Sequence, residues 1–393
     1  MKVTRIAFPL RGSAAWTGGY NYLINLFRAL ESYQKGLIIP VLFCGEDALD
    51  EDVSALALIS NVEIIRSSVF NSARLRDRTL KAIFFGVDVE ALKLFQQEKI
   101  DVVFENAIFF GWRFPLPIIA WMPDFQHRRM KHLFNQLAYW KRELGFRAQV
   151  ASGRFLMLSS EDARKDCESF YSSAQGRTAV VRFSAPISSN LIEVDPLSVL
   201  TKYQLPTRFF YLPNQFWRHK NHLLVVDALA VLKKEGIEIV VVTTGNPIDP
   251  RSPGYYDELV SKINELGLQD NFRILGMIPR QDVISLMRVC SALINPSFFE
   301  GWSSTVEESK SLNVPLLLSD INVHREQMGG DAIYFDPNDA NMLANALYEF
   351  VRCIPDKQIV VRQISDVAEQ NVIAFANDFV QLVDIATSSN NLR

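Results

Sequence analysis

In NPSFFEGWSSTVEE, residues 295–308, an apolar run ends at Asn295, a turn follows, and helical spacing resumes near Ser303. Ligands of open α/β sheets bind beyond the carboxyl ends of the strands, so this turn is well placed for a binding site. Ser303, Ser304 and Thr305 would lie at the start of the helix, where free N–H groups and the helix dipole attract phosphate. The stretch therefore predicts a strand, a binding turn and a helix, in that order.

Two carboxylates in the same stretch, Glu300 and Glu308, are separated by seven residues. In one continuous helix they would lie about 80° apart around the axis. With Glu300 in the turn before the helix, the two side chains can instead point at different parts of one elongated ligand. The residues alone leave a second interpretation open, in which a capping serine or threonine precedes a solvated acidic face.

On both sides of this stretch, short β-branched or aromatic runs alternate with longer amphipathic segments. Continuous apolar strands that alternate with helices indicate parallel sheets covered on both faces, and right-handed crossovers then give doubly wound α/β domains. The predicted strands are Thr4–Leu10, Ile38–Cys44, Val62–Arg66, Asp101–Glu105, Ile118–Met122, Phe155–Ser159, Ala179–Phe183, Phe209–Leu212, Glu238–Thr243, Phe272–Leu275, Ala292–Ile294, Pro315–Leu318 and Ala332–Phe335. The clearest predicted helices are Tyr20–Tyr33, Thr79–Gln97, His222–Lys234, Tyr255–Leu266 and Asp282–Val289.

Residues 185–206 interrupt this alternation with Pro, Ser, Asn and Leu in no regular period, which is typical of an interdomain linker. The sequence therefore predicts an N-terminal Rossmann-like domain over residues 1–190 and a C-terminal one over residues 191–360. Residues 361–393 belong to a last helical segment, beginning near Ile359, that no strand follows. This helix could pack back on the N-terminal domain.

The composition narrows the class of protein. Of the 393 residues 48% are hydrophobic, and 41 basic against 44 acidic side chains give a net charge of −3. These values argue against disorder and against a strongly basic nucleic-acid surface, so no nucleic-acid partner is predicted. No segment approaches the roughly 18 apolar residues of a membrane span. We therefore expect a cytoplasmic protein, either free or peripheral on the inner face of the membrane.

Residues 127–147 combine six Lys and Arg side chains with interleaved aromatic residues and a single acidic residue, Glu143. One interpretation is a helix that rests on anionic lipid. The other is a solvated basic face whose aromatic side packs into the core. The sequence leaves both open.

A cationic turn precedes residues 295–308 in the sequence and follows the first strand of the C-terminal domain. It contains Asn214, Arg218 and Lys220, and a helix begins shortly after it. Cations at such a position suit a diphosphate leaving group. The alternative is a solvated Arg-His-Lys turn without a ligand.

The segment FEGWSSTVEE, residues 299–308, resembles the E-x7-E signature of the retaining GT-B glycosyltransferases of glycosyltransferase family 4. VPLLLSD at 314–320, Arg325-Glu326 and AIYFDP at 332–337 continue the family pattern in order. The resemblance is strongest between about residues 209 and 339. It implies a GT-B fold, with two Rossmann-like doubly wound domains facing across a cleft.

The same resemblance implies an activity. It predicts transfer of a sugar from a UDP, GDP or dTDP donor to a hydroxyl of a glycan or lipid-linked acceptor, with retention of anomeric configuration. The family needs no metal, and the nucleotide-sugar is a substrate, so no cofactor is predicted. The acidic pairs in Asp50-Glu51-Asp52 and Asp88-Val89-Glu90 follow no convincing strand end, so they are interpreted as solvated helix starts and not as metal ligands.

The resemblance also predicts roles for residues in the stretch 295–308. By the resemblance, Glu300 would hydrogen-bond the hydroxyls of the donor sugar and Glu308 the ribose of the nucleotide. Backbone N–H groups at the end of the turn and at the start of the helix would bind the donor's sugar and phosphate. These residues are Gly301, Trp302, Ser303, Ser304 and Thr305.

The cationic turn also gains roles from the resemblance. Lys220 would bind the diphosphate. Asn214 stands where the family usually has an Arg and is itself a candidate donor-binding residue, and Arg218 is the candidate substitute for that Arg.

Two residues depart from the family pattern after the second glutamate. Lys310 is expected to face solvent, whereas Asn313 can adopt the left-handed conformation that ends a helix.

Two positions of the N-terminal domain are further candidates. Gly18-Gly19, after the first strand, would approach the donor phosphate as in the family, or else form an ordinary turn. Asp124 and His127 follow the strand that ends at Met122 and could bind the transferred sugar or orient the acceptor, or else hydrogen-bond within the fold. Two other functions stay open: a GT-B-like nucleotide-sugar epimerase or hydrolase, with Asp124 and His127 as its acid–base pair, and a non-catalytic nucleotide-sugar-binding module.

Overall fold

A computed structural model of the chain describes residues 3–10, 17–106, 108–353 and 359–390. The described residues form two compact units. The N-terminal unit comprises those up to Ser184 together with those from Gln370 onwards, and the C-terminal unit comprises those between Ala185 and Glu369.

The N-terminal unit is built on a seven-stranded parallel sheet. In its order the third and second strands precede the first, and the fourth to seventh follow on the other side. The strands are β1 (Thr4–Pro9), β2 (Ile38–Cys44), β3 (Glu63–Arg66), β4 (Val102–Glu105), β5 (Ile118–Met122), β6 (Phe155–Leu158) and β7 (Thr178–Val180). The helices are α1 (Thr17–Tyr33), α2 (Asp50–Ala57), α3 (Ser72–Phe85), α4 (Val89–Gln97), α5 (Gln126–Arg129), α6 (Gln136–Ala151) and α7 (Glu161–Phe170).

The C-terminal unit has a six-stranded parallel sheet of the same type, in which the strand order again reverses next to its first strand. Its strands are β8 (Phe210–Leu212), β9 (Val241–Thr243), β10 (Phe272–Ile274), β11 (Leu293–Asn295), β12 (Leu316–Ser319) and β13 (Ile333–Phe335). Its helices are α8 (Pro196–Lys202), α9 (His222–Lys234), α10 (Tyr255–Glu265), α11 (Arg280–Val289), α12 (Ser304–Ser311), α13 (Asn322–Met328) and α14 (Ala340–Cys353), and a long helix, α15 (Asp366–Asn390), follows.

The strand order explains where a ligand can bind. In the C-terminal unit β9 lies on one side of β8 and β11 on the other, so the crossovers from β8 and β11 leave in opposite directions. Ligands of doubly wound sheets bind at such a switch point, beyond the carboxyl ends of the strands. The turns after β8 and β11 are those that carry Lys220 and Glu300. The predicted fold class, two Rossmann-like doubly wound domains, is confirmed.

Several element boundaries differ from the prediction. The single helix predicted over Thr79–Gln97 is two helices, because Gly86 adopts φ 82 at the end of α3 and the Asp88 side chain caps α4. Residues 185–206, predicted as a linker, include α8 and contribute buried side chains to the core of the C-terminal unit. Asn313 has φ 52 just beyond α12, as predicted for the residue that ends this helix.

The last helix, α15, packs from Val372 onwards in the same core as α1 and β1. None of the helices within the described ranges is long and apolar enough to cross a membrane.

Candidate functional site

The turns after β8 and β11 bring Lys220 and Glu300 together. The Lys220 Nζ atom lies 2.6 Å from Glu300 Oε1, and the two side chains are only 13% and 9% exposed. Burial alone would raise the pKa of Glu300, but the Lys220 ammonium and the Ser297 hydroxyl more than offset it, and the pKa is lowered from its usual value. Glu300 is therefore a carboxylate at neutral pH and can accept hydrogen bonds from ligand hydroxyl groups.

Asn221, which sequence reasoning did not single out, fixes the Lys220 turn. It adopts a left-handed conformation with φ 58 at the start of α9. Its Nδ2 atom donates to Pro296 O at 3.1 Å and to Pro337 O at 2.8 Å. The Phe298 N–H also donates to His219 O at 2.9 Å. These bonds join the two turns, so Lys220 and Glu300 are held in place by the backbone around them.

Asn214 lies between the ends of β8 and β11 and is almost fully buried. Its Nδ2 atom donates to Asn295 Oδ1, and its Oδ1 atom accepts from the Thr305 hydroxyl, each at 3.3 Å. Asn214 and Thr305 thus connect both strand ends to the first turn of α12. Contact of Asn214 and Thr305 with the donor stays a prediction. The structure shows that their hydrogen bonds hold the strand ends and the helix start together.

Ser303 caps α12, as its position before the helix predicted. Its hydroxyl accepts from Asn295 Nδ2 at 3.0 Å, and its backbone N–H donates to Gln327 Oε1 at 3.1 Å. The Ser303 N–H, one of those predicted to bind the donor, is therefore already hydrogen-bonded within the protein. Ser304, the first residue of α12, is exposed and offers the more accessible contact.

A buried polar cluster of Trp302, Glu307, Lys310 and Gln327 supports this loop. The Glu307 carboxylate accepts from Gln327 Nε2 at 2.9 Å, from Lys310 Nζ at 3.1 Å and from the Trp302 indole. The expectation that Lys310 faces solvent is wrong, because its ammonium pairs with Glu307 and it is only 20% exposed. Gln327 lies on α13, so its approach to α12 had no local signal in the sequence.

Glu308, on the next position of α12, pairs with Arg280 at the start of α11. Two hydrogen bonds of 2.6 and 3.1 Å join the guanidinium to the carboxylate. Glu308 is 13% exposed and Arg280 50% exposed. Arg280 was not among the predicted site residues, and it is the cation that accompanies the predicted ribose-binding glutamate.

Arg218 is directed away from the Lys220–Glu300 pair. Its Nη2 atom lies 2.6 Å from Glu258 Oε2, and its guanidinium stacks over the Tyr255 ring at 4.8 Å from the centroid. Both partners belong to α10. The part predicted for Arg218 in diphosphate binding stays a prediction.

The candidates in the N-terminal unit have different surroundings. Gly18 and Gly19 lie in the first turn of α1, Gly18 exposed and Gly19 buried, and the loop at residues 11–16 before them is outside the described residues. Asp124 is partly exposed and is held by Arg142 at 2.8 Å. His127 is fully buried, with Nε2 3.2 Å from Glu143 Oε2. This is the environment of a structural histidine, and its catalytic role stays a prediction.

Glu143 organises this part of the N-terminal unit. Burial tends to raise its pKa, but hydrogen bonds from Arg128, Arg147, Tyr171 and His127 lower the pKa to about 2. Arg129 pairs in turn with Asp166. Four of the six cations in residues 127–147 are therefore in ion pairs, and the predicted single helix is a short α5, a 3₁₀ turn and α6.

Glu143→Gln is expected to lower the free energy of unfolding at neutral pH by about 3 kcal/mol, because it removes the buried carboxylate that pairs with Arg128 and Arg147. The pKa of Glu143 lies below its unfolded value, so the wild type should lose this contribution as the pH falls from about 4.5 towards 2. Urea unfolding at pH 7, 5 and 3 measures both effects. The exposed Glu46→Gln serves as the control, and equal acid sensitivity of Glu143→Gln and wild type would contradict the assignment.

Among the described residues, no group of three or more His, Cys, Asp or Glu side chains is arranged to hold a metal ion.

Comparison with known proteins points to one class. The family model described as "Glycosyl transferases group 1" matches residues 203–361. O-antigen chain mannosyltransferase B of Escherichia coli is 23% identical over 219 residues, which are 54% of this chain and 55% of that protein. The chain spans about half the length of the curated relatives it matches.

Solved structures share the fold over nearly the whole chain. A glycosyltransferase from Rickettsia africae aligns with a TM-score of 0.65 at 14% identity, covering 99% of this chain and 97% of that one. Anabaena HepE, solved with UDP and glucose, aligns with a TM-score of 0.67 at 17% identity, covering 97% and 99%. At these identities the likeness shows the fold. Taken together, the comparisons show the GT-B fold for the chain and a similarity to group 1 glycosyltransferases over residues 203–361.

Proposed function

We propose that the protein is a retaining glycosyltransferase that moves a sugar from a nucleotide-sugar donor to a hydroxyl of a glycan or lipid-linked acceptor. The observation that carries the proposal is the Lys220–Glu300 pair, 2.6 Å apart at the switch point of the C-terminal sheet. A cation for a diphosphate and a carboxylate for sugar hydroxyls are thereby held side by side. Further support comes from Anabaena HepE, which was solved with UDP and glucose.

In the proposed reaction the bond between the anomeric carbon and the diphosphate oxygen breaks, and a bond to the acceptor oxygen forms on the same face of the sugar. The acceptor proton passes to the departing phosphate. Lys220 stabilises the charge that develops on the diphosphate, and such fixed electrostatic stabilisation is often the largest contribution to catalysis. Glu300 orients the sugar, and Glu308 with Arg280 binds the nucleotide. These roles require neither a metal nor another cofactor.

The acceptor is the least specified part of the proposal. The Escherichia coli relative is named for the O-antigen chain, which supports a role in polysaccharide biosynthesis. A cytoplasmic protein that touches the inner face of the membrane would suit such an acceptor. The outward face of α6 supports lipid contact through residues 127–147, because Leu137, Trp140 and Leu144 are 81, 50 and 59% exposed.

Two alternative functions differ from sugar transfer in what they produce. An epimerase or hydrolase acting on the nucleotide-sugar needs an acid–base pair, and the burial of His127 disfavours Asp124 and His127 in that role. A module without catalysis would bind donor and form no product. Detection of a new glycosidic product from donor and acceptor distinguishes the proposed transferase from both.

UDP, GDP or dTDP is expected to raise the melting temperature in a dose-dependent way, because a ligand that binds only the folded state stabilises it. We would measure thermal unfolding with each nucleotide, once in EDTA and once in magnesium. One nucleotide that stabilises equally in both names the donor class and supports a metal-independent site. The absence of any shift at millimolar concentrations would count against the donor site itself.

A further inference from the structure

A concentration of exposed apolar side chains lies at the end of α3. Phe84 and Phe85 are 81% and 70% exposed, and Leu80 and Ile83 are 47% and 42% exposed. Trp112, 41% exposed, joins them through its indole N–H, which donates to Ile83 O at 3.0 Å. We call these five residues the aromatic end of α3. Clusters of this kind on a protein surface mark an interaction site.

The charges around the aromatic end of α3 are predominantly positive. Arg76 and Lys81 are exposed on the same helix, and the exposed Arg113 donates to Phe85 O at 3.4 Å. Asp77 is the one acidic residue in the sequence of α3, and it is paired with Lys81 at 2.6 Å. Exposed aromatic side chains ringed by cations fit the boundary between headgroups and acyl chains of an anionic bilayer.

The side of the sheet on which α3 lies strengthens this interpretation. Ile118 of β5 packs in the core beneath α3 and α4, and Ala120 packs in the core beneath α6. Residues two apart on a strand point to the same face, so α3 and α6 cover the same face of the N-terminal sheet. The outward faces of both helices, each apolar and basic, therefore lie on one side of this unit.

We propose that the aromatic end of α3 is a membrane anchor that inserts into the interface of an anionic lipid bilayer. A second copy of the chain fits this surface less well than a bilayer does. In a two-fold dimer the same surface of both copies would be in contact, so Arg76 and Arg113 of one copy would lie against Arg76 and Arg113 of the other and repel them. The proposal goes beyond sugar transfer and does not depend on it, since vesicle binding is measured without donor or acceptor.

Flotation with phosphatidylcholine vesicles, with and without phosphatidylglycerol, tests the anchor. The wild type is expected to float with the anionic vesicles, and Phe84→Glu/Phe85→Glu to bind them at least about tenfold more weakly. Arg76→Gln should weaken binding about fivefold. Leu58→Glu is the matched control, since Leu58 is 86% exposed in the same unit and should leave binding unchanged.

Several results would overturn the anchor. They are failure of the wild type to float, equal loss in Leu58→Glu, and loss confined to Trp140→Glu/Leu144→Glu on α6. A wild-type dimer in light scattering that the α3 variant converts to monomer would assign the surface to a second copy instead.

A labelling experiment keeps the test independent of folding defects. Cys353 is exposed and the other cysteines, Cys44, Cys167 and Cys290, are buried, so Phe84→Cys in a Cys353→Ser background offers one reactive site for an environment-sensitive fluorophore. A blue shift on adding anionic vesicles supports insertion. An unchanged spectrum with bound protein would contradict it.

Discussion

Lys220→Ala is expected to lower kcat at saturating donor by roughly 10²–10³-fold, the loss typical when one group that stabilises developing charge is removed. Lys220 is the cation nearest to Glu300, at 2.6 Å, and it is mostly buried. Its removal deprives the proposed diphosphate of its counter-charge and leaves Glu300 buried without its ammonium partner. Steady-state rates with donor and acceptor measure the effect.

The same variant should change the pH profile. In the wild type the Lys220 charge helps to lower the pKa of Glu300 against the effect of burial. Without that charge, burial dominates and the pKa of Glu300 rises. The activity of Lys220→Ala should therefore fall as the pH is lowered from neutral, over a range in which the wild-type activity does not change. Lys234→Ala, an exposed cation at the other end of α9, is the control. Near-wild-type turnover by Lys220→Ala would show that the leaving-group assignment is wrong.

Most of the fold could be predicted because parallel strands covered on both faces are continuous apolar runs. Each of the thirteen strands found within the described residues overlaps a predicted strand. Helix boundaries were harder, since amphipathic spacing alone does not show a break. For α3 and α4 the break was encoded locally, in Gly86 and in the capping Asp88, and weighing these two residues would have found it.

The site could be predicted only where its residues follow strand ends. Lys220 and Glu300 do so, and the sheet topology brings them together. Asn221, Arg280 and Gln327 act through contacts with residues distant in sequence, so no local pattern indicated their roles. Arg218 is the converse case. Its place in the turn predicts a phosphate ligand, and the structure shows its guanidinium paired with Glu258 and stacked on Tyr255, both on α10, which no local pattern indicated.

Gln327→Glu is expected to raise the KM for donor by at least about tenfold at neutral pH, the size of effect expected when buried hydrogen-bonding groups lose their partners. Gln327 holds both backbone groups of Ser303, accepting from its N–H and donating to its C=O, each at 3.1 Å. Its Nε2 atom also donates to Glu307 Oε1 at 2.9 Å. A carboxylate of the same shape can still accept from Ser303, but it can donate to neither oxygen.

The predicted effect depends on pH in a way that a general loss of packing does not. Gln327→Glu puts a second carboxylate beside Glu307, and burial already raises the pKa of Glu307. Two adjacent carboxylates bind a proton more readily than either alone, and the shared proton restores a donor. The KM of Gln327→Glu should therefore approach the wild-type value as the pH is lowered from neutral, whereas Gln327→Leu should stay impaired throughout.

Kinetics and thermal unfolding, measured together, decide whether Gln327 positions the loop before α12 that contains Ser303. Gln269→Glu makes the same chemical change at an exposed position of the same unit and should alter neither quantity. If the KM of Gln327→Glu were equally raised at every pH, in parallel with a lower melting temperature, Gln327 would contribute stability alone. If donor KM recovers at low pH while the melting temperature changes little, the cluster of Trp302, Glu307, Lys310 and Gln327 sets the geometry in which α12 meets its ligand.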